Sequence, residues 1–242
     1  MCEDGPRSIS VVIPAFNEEQ FIGQCLDATS QTLTDMGLAH ELVVVDDGSS
    51  DHTAAVAHRA GRTIPGVRVL QLPRNEGKGS ALSHGAVAAD HELVAFVDAD
   101  LEIHPRQLRT LYEAMVASGA DAVIGSKHHP SASFGFGAIR RFLSSTYSRI
   151  VEIAFRLPVH DTQTGLKLFR AAALRDVLAR TTVQRFAWDL EVLLGLSRSG
   201  YQIIEVPVTV TRARPKQRIR PADVMRMAWD TALIWWRDWR SR

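Results

Sequence analysis

Three short apolar runs, residues 9–13, 42–45 and 94–97, each end at a turn-forming residue: Pro14, Asp46 and Asp98. Continuous β-branched runs of this length mark strands buried on both faces, as in a parallel sheet. Residues 67–70 and 122–124 predict two further strands. Helical patterns lie between them over residues 18–32, 50–60 and 79–89, the second opening on Ser49, Ser50 and Asp51, which suit an N-cap. Strand and helix alternate, so the first 125 residues predict a doubly wound α/β unit whose ligands sit at the carboxyl ends of the strands. Beyond Gly125 the regularity falls away. Residues 126–137 predict a loop, 138–157 and 185–199 helices, 160–164 a polar segment, 206–210 a last strand, and a helix follows from Ala222. No internal repeat or linker interrupts the chain, so residues 1–211 read as one domain and 212–242 as its tail.

Composition narrows the class. With 242 residues, 45% hydrophobic and 23% charged, the chain is ordinary globular, which excludes disorder and coiled coil. Two cysteines, Cys2 and Cys25, make neither a disulfide framework nor a cysteine zinc site, and fit a reducing compartment. The polar opening segment lacks the apolar core of a signal peptide, and no apolar stretch approaches the ~18 to 20 residues of a membrane span. The expectation is a soluble or peripheral protein. The net charge of +1 hides an asymmetry: from Arg212 to Arg242 nine basic residues face three acidic ones, which puts +6 on the tail and −5 on the rest. Such a tail meets an anionic partner, nucleic acid or membrane, or is a solvated helix end.

The candidate chemistry gathers at the predicted strand ends. In an extended segment Asp98, Asp100 and Glu102 share one side, so three carboxylates would converge. Like charges in one site resist joint ionisation. A hard divalent cation resolves that repulsion, and all-oxygen ligation favours Mg²⁺ or Mn²⁺ over zinc; a solvated acidic turn is the alternative. Asp46 and Asp47 before Gly48 are more carboxylate than capping requires and suit a nucleotide base or ribose. Gly77, Lys78 and Gly79, ahead of a helix N-terminus, suit an anion, although the spacing is not that of a P-loop. Neither a paired-histidine zinc motif nor a serine-hydrolase elbow occurs. Cys25 reads as a packed apolar residue on the first helix, and Trp188 either as core or as a platform for a sugar face.

Ile13-Pro14-Ala15-Phe16-Asn17-Glu18-Glu19, Asp46-Asp47-Gly48-Ser49-Ser50-Asp51, residues 75–79 and residues 98–102, in this order, resemble the GT-A glycosyltransferases of family 2. Gly125-Ser126-Lys127, the segment Asp161-Thr162-Gln163-Thr164-Gly165-Leu166-Lys167-Leu168-Phe169 and Arg185-Phe186-Ala187-Trp188-Asp189-Leu190-Glu191 narrow the resemblance. They are similar to the dolichyl- or polyprenyl-phosphate sugar synthases, more to the glucosyl than to the mannosyl branch. The resemblance spans roughly residues 10–210 and implies a GT-A fold, a mostly parallel central sheet with helices on both faces. It implies that Pro14, Ala15, Phe16, Glu18, Asp46, Gly77, Lys78, Asp98 and Ala99 bind the nucleotide sugar. Asp98 and Asp100 would be the metal and diphosphate aspartates, with Glu102 a third candidate ligand. Lys127, Arg140 and Arg141 would receive the lipid phosphate, and Asp161, Gln163, Thr164, Lys167 and Trp188 would line the sugar and acceptor side.

The implied activity is an inverting, metal-dependent transfer of a hexose or N-acetylhexosamine from a nucleotide sugar to polyprenyl phosphate. The donor implied is UDP-linked, with GDP-mannose the alternative. A phosphomonoester sheds its second proton near pH 6, so it attacks without a general base. A hydroxyl acceptor needs one, and Asp189 is the residue available for that role. A sugar-nucleotide-binding protein without catalysis is the reading from another class. In the tail, Trp229, Trp235, Trp236 and Trp239 interleave with Arg226, Arg237 and Arg240, a pattern that suits the lipid–water interface. The alternative there is a helix docked on its own domain. The expected location is therefore cytoplasmic, peripheral at the inner membrane face, with no nucleic-acid partner.

Overall fold

The computed structural model describes residues 5–127, 151, 154–183, 187–210 and 221–241, with side chains in the last stretch from 228 to 240. Its centre is a seven-stranded sheet: β1 (Ser8–Ala15), β2 (Ala39–Asp46), β3 (Val67–Gln71), β4 (Leu93–Phe96), β5 (Ala122–Ser126), β6 (Lys167–Arg170) and β7 (Ile203–Pro207). The order across the sheet is β3-β2-β1-β4-β6-β5-β7. The pairs β1 with β2, β1 with β4, β2 with β3 and β5 with β7 are parallel, while β6 runs antiparallel between β4 and β5. The carboxyl ends of β1, β2, β4 and β5 therefore share one edge with the start of β6.

The helices delimited among the described residues are α1 (Ile22–Asp35), α2 (Thr53–Ala60), α3 (Lys78–Ala88), α4 (Leu108–Ser118), α5 (Ala171–Leu178), α6 (Trp188–Arg198) and α7 (Pro221–Ser241). Side chains alternate across the strands, and the two faces carry two cores. Val12, Val43, Val45 and Phe96 pack with α3, α5 and α6; Val11, Ile13, Val44 and Val97 pack with α1, α2 and α4. Burial on both faces is why these strands are continuous apolar runs rather than alternating ones. At Gly85 helix α3 lies close on the sheet: a Cβ there would fall 2.2 Å from Val12, and α3 carries small residues.

The expected strands and first three helices are present with shifted ends. Three elements were not anticipated from sequence. α4 follows a single turn at Pro105–Gln107, where the His104 side chain accepts from the Arg106 N–H, and ends on left-handed Gly119. β6 and α5 occupy Lys167–Arg170 and Ala171–Leu178. The last strand lies at Ile203–Pro207, three residues before the expected start. The N-cap position of α2 is His52, without a side-chain bond of its own; of the expected caps, Asp51 accepts the Thr53 N–H at the helix start, while Ser49 and Ser50 bond elsewhere. The expected loop at 126–137 beyond Lys127 and most of the expected helix at 138–157 lie outside the described residues. Among the described residues no helix is long and apolar enough to cross a membrane.

Candidate active site

Three loops at the carboxyl edge are laced together before any ligand is considered. Asn17, held at a positive φ of 56°, donates its N–H to Ser49 Oγ and accepts from the Ser50 N–H at 2.9 Å each. The Glu18 N–H donates to Thr53 Oγ1, the Glu19 N–H to Asp51, and Glu19 accepts from the His52 N–H. The polar residues after β1 and β2 thus satisfy each other's backbone. Asp47 extends the lacing by accepting from the N–H groups of Glu76 and Gly77 at 2.7 and 2.9 Å. Gly48 completes it: at φ 68° a Cβ would fall 2.6 Å from the Arg74 backbone.

These loops wall a cleft of about 330 Å³ lined by Pro14, Ala15, Phe16, Glu18, Asp47, Asn75, Gly77, Lys78, Ala81, Asp98, Ala99 and Asp100. Eight of the nine residues expected to bind a nucleotide sugar line it. The exception is Asp46, which is buried and accepts from the Ser49 N–H in its own turn. Its neighbour Asp47 faces the cleft instead, because alternation along the strand turns adjacent side chains to opposite sides. Phe16 is an exposed aromatic ring in this lining, with 45% of its surface accessible.

Lys78 opens α3 and holds Asp98 at 2.5 Å. Burial penalises both charges, but the pairing more than offsets it. The carboxylates of Asp98, Asp189 and Asp100 raise the Lys78 ammonium above its ordinary value. The cations of Lys78, Lys127 and Lys167 in turn hold Asp98 below the usual carboxylate range. Asp98 also forms one wall of a second, water-sized space of about 10 Å³, shared with Glu102, Lys127 and Gly165. Gly165 explains the tightness there. Its φ is unremarkable, yet a Cβ would lie 2.0 Å from Asp98 Oδ2.

The three-carboxylate cluster expected at 98–102 is not formed. The segment turns after Asp98, with Leu101 in the left-handed region at φ 58° and the Glu102 N–H bonded to Asp100. Asp98 and Asp100 line the cleft, whereas Glu102 turns behind them towards Lys127 at 3.7 Å. Among the described residues no three His, Cys, Asp or Glu side chains gather at metal-holding spacing. What remains is a pair of aspartates on the cleft wall. That donor set still fits Mg²⁺, which binds through one or two carboxylates and completes its shell with phosphates and water.

Behind this wall the 161–169 segment is structural as well as proximal. Asp161 is buried and accepts from the N–H groups of Lys127 and Gln163. Thr164 is fully buried, and its carbonyl and Asp189 both bind Lys167 Nζ, at 2.5 and 2.6 Å. Asp189 is therefore committed to a buried ion pair rather than poised as a base. Trp188, 1% exposed, packs its ring on Phe96 at 5.6 Å and donates to Ser83, which makes it core and not a sugar platform. Arg140, Arg141, Arg185 and Phe186 lie outside the described residues. Sequence reasoning passed over Glu205 on β7, which accepts from the N–H groups of His160 and Asp161 and thereby anchors the segment.

Comparisons with known proteins bear on the family and the fold. A glycosyl transferase family 2 profile matches residues 10–178. A dolichyl-phosphate beta-glucosyltransferase of Trichomonas vaginalis is 31% identical over 83% of this chain, which spans 64% of that relative's length. One of Drosophila melanogaster is 30% identical over 96% of the chain and 76% of its own length. Among solved structures, glucosyl-3-phosphoglycerate synthase from Mycobacterium tuberculosis with Mn²⁺, UDP and phosphoglyceric acid is 26% identical. It superposes with a TM-score of 0.70 over 94% of this chain and 77% of that one. The fold is the GT-A fold, and the chain belongs to glycosyl transferase family 2.

Proposed function

We propose that the chain transfers a hexose or N-acetylhexosamine, with inversion, from a UDP-linked sugar to polyprenyl phosphate at a membrane face. The observation that carries this reading is Asp98 at the junction of two spaces. On one side is a nucleotide-sized cleft with Lys78 and Phe16; on the other is a small space lined by Lys127. The relatives' names supply the acceptor class, and the solved neighbour supplies UDP and Mn²⁺.

The roles follow from placement. The nucleotide lies along residues 14–18 with its base towards Phe16, whose exposed face suits stacking. The diphosphate lies where Lys78 and the N-terminus of α3 supply positive charge. Asp98 and Asp100 would hold Mg²⁺ or Mn²⁺; when bound, such an ion supplies Lewis-acid stabilisation of negative charge on the leaving diphosphate. Lys127 receives the acceptor phosphate; Arg140 and Arg141, outside the described residues, are given the same role by the family resemblance alone. A phosphate oxygen then bonds to the anomeric carbon as the bond to the diphosphate oxygen breaks on the opposite face. One such displacement inverts configuration. No proton leaves the attacking oxygen, consistent with an Asp189 already engaged by Lys167.

The test is a panel of radiolabelled nucleotide sugars with polyprenyl phosphate and Mn²⁺ or Mg²⁺, followed by lipid extraction. Label in the lipid fraction with a UDP-sugar is expected. Label in no lipid fraction, or only in a hydroxyl acceptor, would overturn the reading.

A further inference from the structure

The C-terminal helix has three distinct sectors. Thr231, Ile234 and Asp238 are buried against the domain, and at about 100° per residue they fall within an arc of about 60°. Ile234 joins the core beside α6. Asp238 binds Arg198 of α6 through both carboxylate oxygens, at 2.7 and 3.0 Å, and Arg237 reaches Glu191 in the first turn of the same helix. The helix is docked, which meets the self-docking alternative from the sequence. Docking leaves the outer side bare. Trp229, Trp235, Trp236 and Trp239 are 73, 46, 48 and 64% exposed and together occupy an arc of about 120° away from the domain. Arg240 borders that arc and stacks on Trp236 at 4.7 Å.

A bare tryptophan patch on a soluble surface is costly unless something covers it. From this patch we infer that the outer face of α7 seats on an anionic lipid surface. Tryptophan rings with an apolar body and a polar N–H favour the lipid–water interface, and arginines at the patch edge meet phosphate headgroups. The excess of +6 from Arg212 to Arg242 attracts such a surface at range. A second copy would bring the same positive excess against itself, which disfavours self-pairing. Because α7 is clamped on both the first and last turns of α6, seating it fixes the membrane relative to Trp188–Arg198, and hence to the wall containing Lys167 and Asp189. The inference serves the lipid-acceptor reading but rests on its own geometry.

The test uses the full chain and vesicles of phosphatidylcholine alone or with about 30% phosphatidylglycerol, at low and high salt. Wild type should float with the anionic vesicles, less so at high salt. Its tryptophan emission should shift to the blue, with buried Trp188 contributing a constant background. The triple variant Trp229→Gln, Trp236→Gln, Trp239→Gln should bind about tenfold or more weaker. It should keep its melting temperature and its transfer to a short, water-soluble polyprenyl phosphate. Equal flotation of both proteins would overturn the inference, as would a tryptophan-dependent dimer that binds no vesicles. Intact flotation without any sugar transfer would count against the reaction and leave the surface standing.

Discussion

Gly165→Ala isolates the wall between the two spaces. The added methyl would fall 2.0 Å from Asp98 Oδ2 and 2.3 Å from Cγ, where carbon and oxygen normally sit at about 3.5 Å. Relief requires the carboxylate to move by more than 1 Å, about the shift that costs 10²-fold in a positioned reaction. In activation free energy that is about 2.7 kcal/mol. The move also parts Asp98 from Lys78, its partner at 2.5 Å. Stability should change little, because the Asp98 side chain is one-third exposed and can swing into the cleft. The expected signature is a kcat about two decades down with a nearly unchanged melting temperature. Gly23→Ala is the control: its Cβ meets only Val56 at 3.5 Å within α1, so activity should hold and stability rise by up to about 1 kcal/mol. Steady-state transfer assays and thermal melts on both variants decide it. Wild-type kcat in Gly165→Ala would refute the claim that Asp98 is sterically positioned from behind.

Phe16→Ala should raise the donor KM by about tenfold with little change in kcat, as expected for a lost stacking platform; an unchanged donor KM would remove Phe16 from the nucleotide site. Asp189→Asn should keep the single-turnover chemical step within about tenfold of wild type while lowering the melting temperature, since Lys167 is left buried beside a neutral partner. A loss of 10²-fold or more, about what a general base supplies, would instead favour a hydroxyl acceptor. At the opposite edge of the sheet, burial alone would raise the Glu41 carboxyl. The Ser10 hydroxyl, the Asp90 N–H and the Arg68 guanidinium outweigh it and hold Glu41 below the usual carboxylate range. A depressed folded-state pKa means stability that is present above the unfolded value of 4.5 and lost as pH falls below it. Glu41→Gln should cost about 2 kcal/mol at neutral pH and flatten the acid limb of a melting-temperature profile; an unchanged acid limb would refute the assignment.

The doubly wound half was legible because each buried parallel strand is a compact apolar run that ends on a polar turn. β6 was hidden for a physical reason. Lys167 opens it, and a lysine reads as surface unless its partner, Asp189 on a helix 22 residues away, is known. α4 did carry a helical period, with Leu108, Leu111 and Met115 buried at i, i+3 and i+7; what lacks a periodic signature is the turn that leads into it, where His104 accepts the Arg106 N–H. The loop motifs were legible as a set but not fully in role. Ser49, Ser50 and Asp51 look like helix caps in one dimension; Asp51 does accept the Thr53 N–H that opens α2, but all three also bond Asn17 or Glu19, more than 30 residues earlier.

The same distinction separates the two acidic motifs. Alternation places Asp98, Asp100 and Glu102 on one side only while the chain stays extended, and positive φ at Leu101 ends that condition. Glu102 is then carried to Lys127, and the metal-ready trio becomes an aspartate pair in front of a Lys–Glu pair. For the chemistry this is a gain. Four charges of alternating sign, Lys78, Asp98, Lys127 and Glu102, line this wall, and in the proposed reaction an arriving diphosphate and divalent ion would offer Lys78 and Asp98 new partners. On that proposal Lys78 would exchange Asp98 for a phosphate, Asp98 and Asp100 would hold the divalent ion, and Lys127 would turn from Glu102 to the acceptor. Asp189 has no such exchange open to it, because Lys167 is buried with it and bound to the Thr164 carbonyl as well. The Lys167 pairing thus ties up the one carboxylate that the sequence offered as a base for a hydroxyl acceptor, which is the arrangement the proposed phosphate acceptor calls for.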